Sequence, residues 1–222
     1  MKIKKIFLKG FIKVKCSLLY RWNILIFAEI ILMFIILHLE QKQNLLISFI
    51  SILIHEFSHI ILAMMRGSKF NNFQMHIYGA RVDLLDVDEL NYKEKLLIYI
   101  VGPLSNICIA IIFILINYYV RFELSEIIVT INIGLAIFNL LPAYPLDGAR
   151  ILEVILSRKM LYKEAQLRIA GISYFIGGAF IAICFYGVYK YSSINVTMLL
   201  VAVIIIYITR TEKKAVMYIL MG

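Results

Sequence analysis

Six apolar stretches dominate this chain, at about residues 23–39, 44–65, 95–120, 126–141, 167–189 and 195–209. A hydrocarbon core takes about 20 apolar residues to cross as an α-helix, and these stretches meet or nearly meet that length. In lipid every backbone N–H and C=O must be bonded within the segment, so helices are expected rather than isolated strands. Composition agrees. Of 222 residues, 62% are hydrophobic and 17% are charged, and a soluble protein this apolar could not cover its own surface. Three prolines and eleven glycines exclude collagen-like, linker-rich and disordered classes. The expected fold class is an all-α polytopic membrane protein with about six transmembrane helices. The first stretch could instead be the apolar part of a signal peptide. Its long basic leader and the lack of a small-x-small cleavage site favour a retained signal-anchor.

The net charge of +9 could suggest a nucleic-acid partner, but the basic residues lie between apolar runs and build no aromatic-studded face. They read better as topology signals. Lys2, Lys4, Lys5, Lys9, Lys13, Lys15 and Arg21 precede or open the first stretch, with no acid among them. Arg66, Lys69, Arg81, Lys93 and Lys95 follow the second, and Arg150, Arg158, Lys159, Lys163 and Arg168 follow the fourth. Arg210, Lys213 and Lys214 follow the sixth, while only Lys42, Arg121 and Lys190 fall on the opposite side. Such a bias predicts a multi-pass protein of the cell membrane with both termini cytoplasmic. Cys16, Cys108 and Cys184 are odd in number and widely spaced. They suggest neither a disulfide framework nor a Cys-x-x-Cys metal pair.

Between Phe70 and Asp88 the pattern changes. Phe73, Met75, Ile77, Val82 and Leu84 alternate with other residues around Tyr78-Gly79-Ala80. This predicts a short membrane-associated β-ribbon after the second span. The alternative is an amphipathic loop anchored on headgroups by Phe70, Phe73 and Tyr78.

The chemistry concentrates in the second stretch, which contains His55-Glu56-Phe57-Ser58-His59. An ionisable side chain in an apolar span costs roughly 2.5–3.5 kcal/mol on insertion scales, so such residues are functional candidates by default. At 3.6 residues per turn His55 and His59 stack on one helix face, where both imidazoles can reach one metal ion. Glu56 lies near the same edge. A carboxylate there can take a proton from a water at the metal and pass it to a leaving amine. The alternative is a structural polar cluster or an ion pathway.

Two histidines leave a catalytic zinc site one protein ligand short. His38 and His76 fall at expected interfaces. The better candidate is Asp147, in Asn139-Leu140-Leu141-Pro142-Ala143-Tyr144-Pro145-Leu146-Asp147-Gly148. Pro142 and Pro145 cannot continue an ordinary helix. Broken backbone at membrane depth survives only against protein or a water-filled cavity. The alternative for Asp147 is a helix cap or turn residue before Gly148.

Together, His55-Glu56-x-x-His59 in one span and Asn-x-x-Pro-x-x-Pro-Leu-Asp-Gly closing a later one resemble the site-2 protease family of intramembrane zinc metalloproteases. Gly102-Pro103-Leu104-Ser105-Asn106, opening the third span, is similar to that family as well. The resemblance implies a single integral-membrane metalloprotease domain over residues 1–222. It implies one zinc per chain held by His55, His59 and Asp147, Glu56 as the residue that activates water, and Asn139 as polariser of the substrate carbonyl. Within the family the chain is most similar to the sporulation branch, which processes a membrane-tethered sigma-factor precursor of the sigma-K type. Members of that branch often carry a nucleotide-sensing CBS domain after the last span. This chain stops about a dozen residues past it, so no such control is expected, and no PDZ domain has room. The implied function is cleavage of a membrane-tethered protein within or near its membrane segment, releasing a transcription factor. The implied partners are that substrate, the lipid bilayer and membrane-protein regulators, with no nucleic acid. The other function classes are a divalent-metal transporter, which has no need of Glu56 beside the histidines, and a catalytically silent membrane binding protein.

Overall fold

The protein is seen in a computed structural model that describes residues 42–66, 69–76, 79–85, 90–192 and 195–221. The basic leader and the first expected span, 23–39, lie outside the described residues. In chain order the elements are α1 (Lys42–Met65), β1 (Lys69–His76), β2 (Gly79–Leu85), α2 (Tyr92–Val120), α3 (Ser125–Asn139), α4 (Asp147–Leu156), α5 (Tyr162–Tyr191) and α6 (Val196–Met221). By length and composition three of these can cross a membrane: Leu46–Met65 within α1, all of α2, and all of α5. The 15-residue α3 is apolar but shorter. The sixth expected stretch forms the first part of α6, which runs on through Arg210, Glu212 and Lys213. The ten-residue α4 was not separated by apolar patterning, because its length falls well below a span.

The ends of α2 are fixed locally. Asn91 and Glu94 form a reciprocal capping box, each side chain bonded to the other's backbone N–H at 3.0 Å. At the far end Arg121 takes the left-handed conformation (φ 51°), and its N–H bonds Asn117 O. Pro103 sits inside this helix without ending it, although it removes one backbone donor.

The bundle is small-side-in. Buried positions on α2 are Ile98, Gly102, Pro103, Asn106 and Ala110, a stripe at near-fourfold spacing. On α3 they are Ser125, Asn132, Ala136 and Asn139. Many bulky side chains point outward: Phe57, Tyr118, Ile137 and Phe175 are all exposed. In lipid there is no hydrophobic drive between helices, so close backbone approach and polar contacts hold them together. Helix α2 is central and packs on α1, α3 and α4; α4 reaches α5, and α5 lies along α6.

β1 and β2 pair antiparallel, with Phe73 opposite Val82 and Met75 opposite Ala80, and the register shifts between Phe70 and Asn72. The segment between α3 and α4 is the broken backbone that Pro142 and Pro145 demand. It is buried among helices. Ala143 and Leu146 pack with Val201 and Ile205 of α6, and Tyr144 packs with Ile169 of α5 and Ile208 of α6. Its N–H groups find partners: Ala143 N donates to Leu141 O (2.8 Å), Leu146 N to Ala143 O (2.8 Å), and Tyr144 N to Ser173 Oγ (2.9 Å). The expected fourth span, 126–141, ends as a helix at Asn139, where this turn system takes over.

Candidate metal centre

His55 and His59 lie one turn apart on α1, both buried. Their rings meet edge to face with centroids 4.9 Å apart. Asp147 opens α4, with Leu146 before it supplying no side-chain cap, so the Asp147 carboxylate is free to turn towards the histidines. Its Oδ2 lies 3.0 Å from His55 Nε2 and 3.3 Å from His59 Nε2, and the two Nε2 atoms are 3.2 Å apart. Asp147 does open a helix, as the cap-or-turn alternative has it, and its oxygen also joins the two imidazoles.

The protonation pattern follows from the neighbours. His59 Nδ1 lies 2.6 Å from Ile98 O. A carbonyl oxygen can only accept, so Nδ1 carries a proton, and in the neutral imidazole Nε2 then presents a lone pair. His55 Nδ1 lies 2.6 Å from Asn106 Oδ1. In their neutral forms two imidazole lone pairs and a carboxylate oxygen converge on one point, and they repel each other unless a proton or a metal ion lies between them. The spacing suits zinc. Donors at about 2.0–2.1 Å on tetrahedral corners stand about 3.3 Å apart, against 3.0, 3.2 and 3.3 Å here. These three residues could together hold one metal ion.

Gly102 is the wall of this site. A Cβ built there would lie 2.2 Å from His59 Nε2 and 2.7 Å from His55 Nε2, so any side chain would occupy the point where the donors converge. Gly148 has a matching role behind Asp147. A Cβ there would lie 2.2 Å from Leu140 O, so only glycine lets the start of α4 close against the end of α3.

Glu56, beside His55 on α1, is half-buried. Asn139 is buried at the end of α3 and donates from Nδ2 to Leu135 O at 3.1 Å, which leaves its second N–H for other use. His38 lies outside the described residues, and His76 lies in β1.

Sequence patterning missed the supports. Asn132 is one of them: a buried amide in an apolar helix carries a cost signal of the same kind as the histidines. Arg150, counted as a topology charge, is mostly buried. Its Nη1 bonds Glu153 Oε2 at 3.1 Å, and its Nη2 lies 4.0 Å from Glu212 Oε1 on α6. Gln166 Nε2 donates to Glu153 Oε1 at 2.8 Å. Burial pushes the Glu212 carboxyl up to about 7, against the pull of Arg150. Spacing between acids and bases on different helices is not visible in one dimension.

Membrane-length helices and a buried centre of two histidines and an aspartate define a membrane protein with a metal site of zinc-binding type. A family model for Peptidase family M50 matches residues 43–125 and 120–184, and the chain belongs to that family. A zinc metalloprotease of Methanocaldococcus jannaschii is 28% identical over 173 residues, which are 76% of this chain and 48% of that protein. Stage IV sporulation protein FB of Bacillus subtilis is 27% identical over 128 residues, 57% of this chain and 44% of that protein. The chain thus spans about half the length of these curated relatives. The solved site-2 protease from Methanocaldococcus jannaschii matches with a TM-score of 0.60 at 23% identity, over 86% of this chain and 88% of that one. The chain has the site-2 protease fold.

Proposed function

We propose that the chain is a zinc metalloendopeptidase that cuts a membrane-tethered protein within or near its membrane segment. The carrying observation is the convergence of His55 Nε2, His59 Nε2 and Asp147 Oδ2 on one point, one residue away from Glu56. His55, His59 and Asp147 are the metal ligands in this proposal. They would hold a zinc ion, which when bound would supply Lewis acidity towards a peptide carbonyl and a water molecule. Glu56 takes a proton from that water and returns it to the leaving amine. Asn139 donates its remaining N–H towards the developing oxyanion.

Membrane helices hide their carbonyls in internal hydrogen bonds, so the substrate must be unwound where it is cut. The β1–β2 ribbon has two outer edges with backbone groups free of ribbon pairing, and an extended substrate could add to one as a strand. The charge bias supports six spans with both termini cytoplasmic, which puts the ribbon and Asp147 on the cytoplasmic side. Similarity to a sporulation protein makes a tethered sigma-factor precursor the first substrate to test.

The test is co-expression of the chain with such a precursor. Wild type should release the soluble product. Glu56→Gln should lower turnover by about 10²–10⁴-fold, as expected for loss of a general base, with zinc content unchanged. Near-wild-type turnover in that variant would refute Glu56 as the base and revive the transporter alternative.

A further inference from the structure

His55 and His59 are oriented in different ways. His59 is held by a backbone carbonyl, Ile98 O, which no substitution can reverse. His55 is held by a side-chain amide, Asn106 Oδ1, and an amide can turn round. Turned, Asn106 would offer N–H to Nδ1 and force the His55 proton onto Nε2, which faces His59 and Asp147. Something must fix the direction of Asn106.

That direction can be followed back through the bundle. Asn106 and Asn132 are both fully buried. Asn132 Nδ2 lies 2.8 Å from Ile128 O, again an obligatory acceptor, so this end of the Asn132 amide must be the NH₂ group. It also donates to Ser51 Oγ at 3.0 Å. The Asn132 oxygen is thereby left facing Asn106 Nδ2 at 2.9 Å, the shorter contact of that NH₂ group, whose other acceptor, Ser51 O, stands at 3.5 Å. Asn106 must then present its own oxygen to His55 Nδ1. Turning Asn106 alone would set two amide oxygens face to face. Turning both would set the Asn132 oxygen against Ile128 O. Only one polarity satisfies every group, and an unpaired buried polar group costs about 1–3 kcal/mol.

We propose that Asn132, acting through Asn106, is a positioning residue that holds the proton of His55 on Nδ1 and so keeps Nε2 open for zinc. The relay ties α1, α2 and α3 to one ligand. It rests on the metal-site reading given above. Groups that set a ligating histidine's tautomer typically change metal affinity by about 10–100-fold.

Zinc affinity of the purified full chain, measured by competition with a chromophoric chelator, tests this. Asn132→Leu should weaken zinc about 10–100-fold. Asn132→Asp keeps an acceptor towards Asn106, and its protonated form can donate to Ile128 O. It should bind within about threefold of wild type, the isosteric variant serving if the leucine variant does not fold. In an Asn106→Asp background either carboxylate oxygen accepts from His55, so direction no longer matters there. Asn132→Leu should then cost less than about threefold. Wild-type affinity in Asn132→Leu would overturn the relay alone. So would an equal loss in both backgrounds, or in Asn132→Asp, because each would mark a packing role. A wild-type chain that binds no zinc would overturn the metal site and the relay with it.

Discussion

Two buried polar clusters support the candidate metal centre, one bonded to His55 and one on the helix that Asp147 opens, and they are built from different chemistry. Behind His55 the cluster is neutral: Asn106, Asn132 and Ser51, tied to the backbone carbonyl of Ile128. Behind Asp147 it is charged: Arg150, Glu153 and Glu212, with Gln166 attached. A neutral amide has a donor end and an acceptor end, so a chain of them transmits direction without burying charge. It suits the task of choosing a tautomer. An ion cluster has little direction but pulls strongly, and it joins α4 to α5 and α6. The first cluster orients a ligand, and the second fastens the short helix that carries another. Removing one member of a buried ion cluster leaves uncompensated charge, whereas removing one hydroxyl from an amide chain leaves alternatives.

The two glycines test the comparison most severely. Gly102→Ala should abolish zinc binding and proteolysis together, because its Cβ would stand against both Nε2 atoms. The metal-free fold should survive, since the obstruction meets side-chain tips. Thermal unfolding with and without zinc would show it: added zinc raises the midpoint of wild type and leaves that of Gly102→Ala unmoved. Gly148→Ala should lose zinc as well but also unfold more readily, because its Cβ meets the backbone of Leu140 and Leu141. A Gly148→Ala protein as stable as wild type would mean that the α3–α4 junction yields easily.

Next in size is Arg150→Met. It removes the cation that faces both Glu153 and Glu212, leaving Gln166 on Glu153, and breaking such a pair typically costs about 3–5 kcal/mol. Denaturant unfolding should register that loss, while the folded fraction keeps wild-type zinc affinity. Weakened affinity in a stable Arg150→Met protein would make this cluster an orienting device too, and the contrast between the two would fall.

The smallest effect is expected from Ser51→Ala. Asn132 loses one of its two acceptors but keeps Ile128 O, so the polarity of the chain stands. Stability should fall by about 0.5–1.5 kcal/mol, the ordinary net worth of a hydrogen bond, and zinc affinity should hold. A large loss of zinc in this variant would show that the hydroxyl, not the carbonyl, sets the direction.

Much of the site was legible in the chain because its residues are costly where they stand. His55, Glu56 and His59 fall within five positions of an apolar helix, and helical spacing alone stacks the two imidazoles. Pro142 and Pro145 force a break at any depth, which marked the neighbourhood of Asp147. That Asp147 meets His55 across 92 positions of chain is a product of packing: α2 had to lie centrally, and Gly102 had to leave room. Asn132 looked like one polar residue in an apolar run, and Arg150 like one positive charge in a loop. Their partners come from other helices, and no periodicity encodes a contact between separate elements. Sequence therefore determined what the chain is made to sit in and which residues are too expensive to be incidental. The tertiary structure alone decided which of them converge, and in which direction each hydrogen bond runs, because direction depends on a backbone carbonyl whose position exists only once three helices have packed.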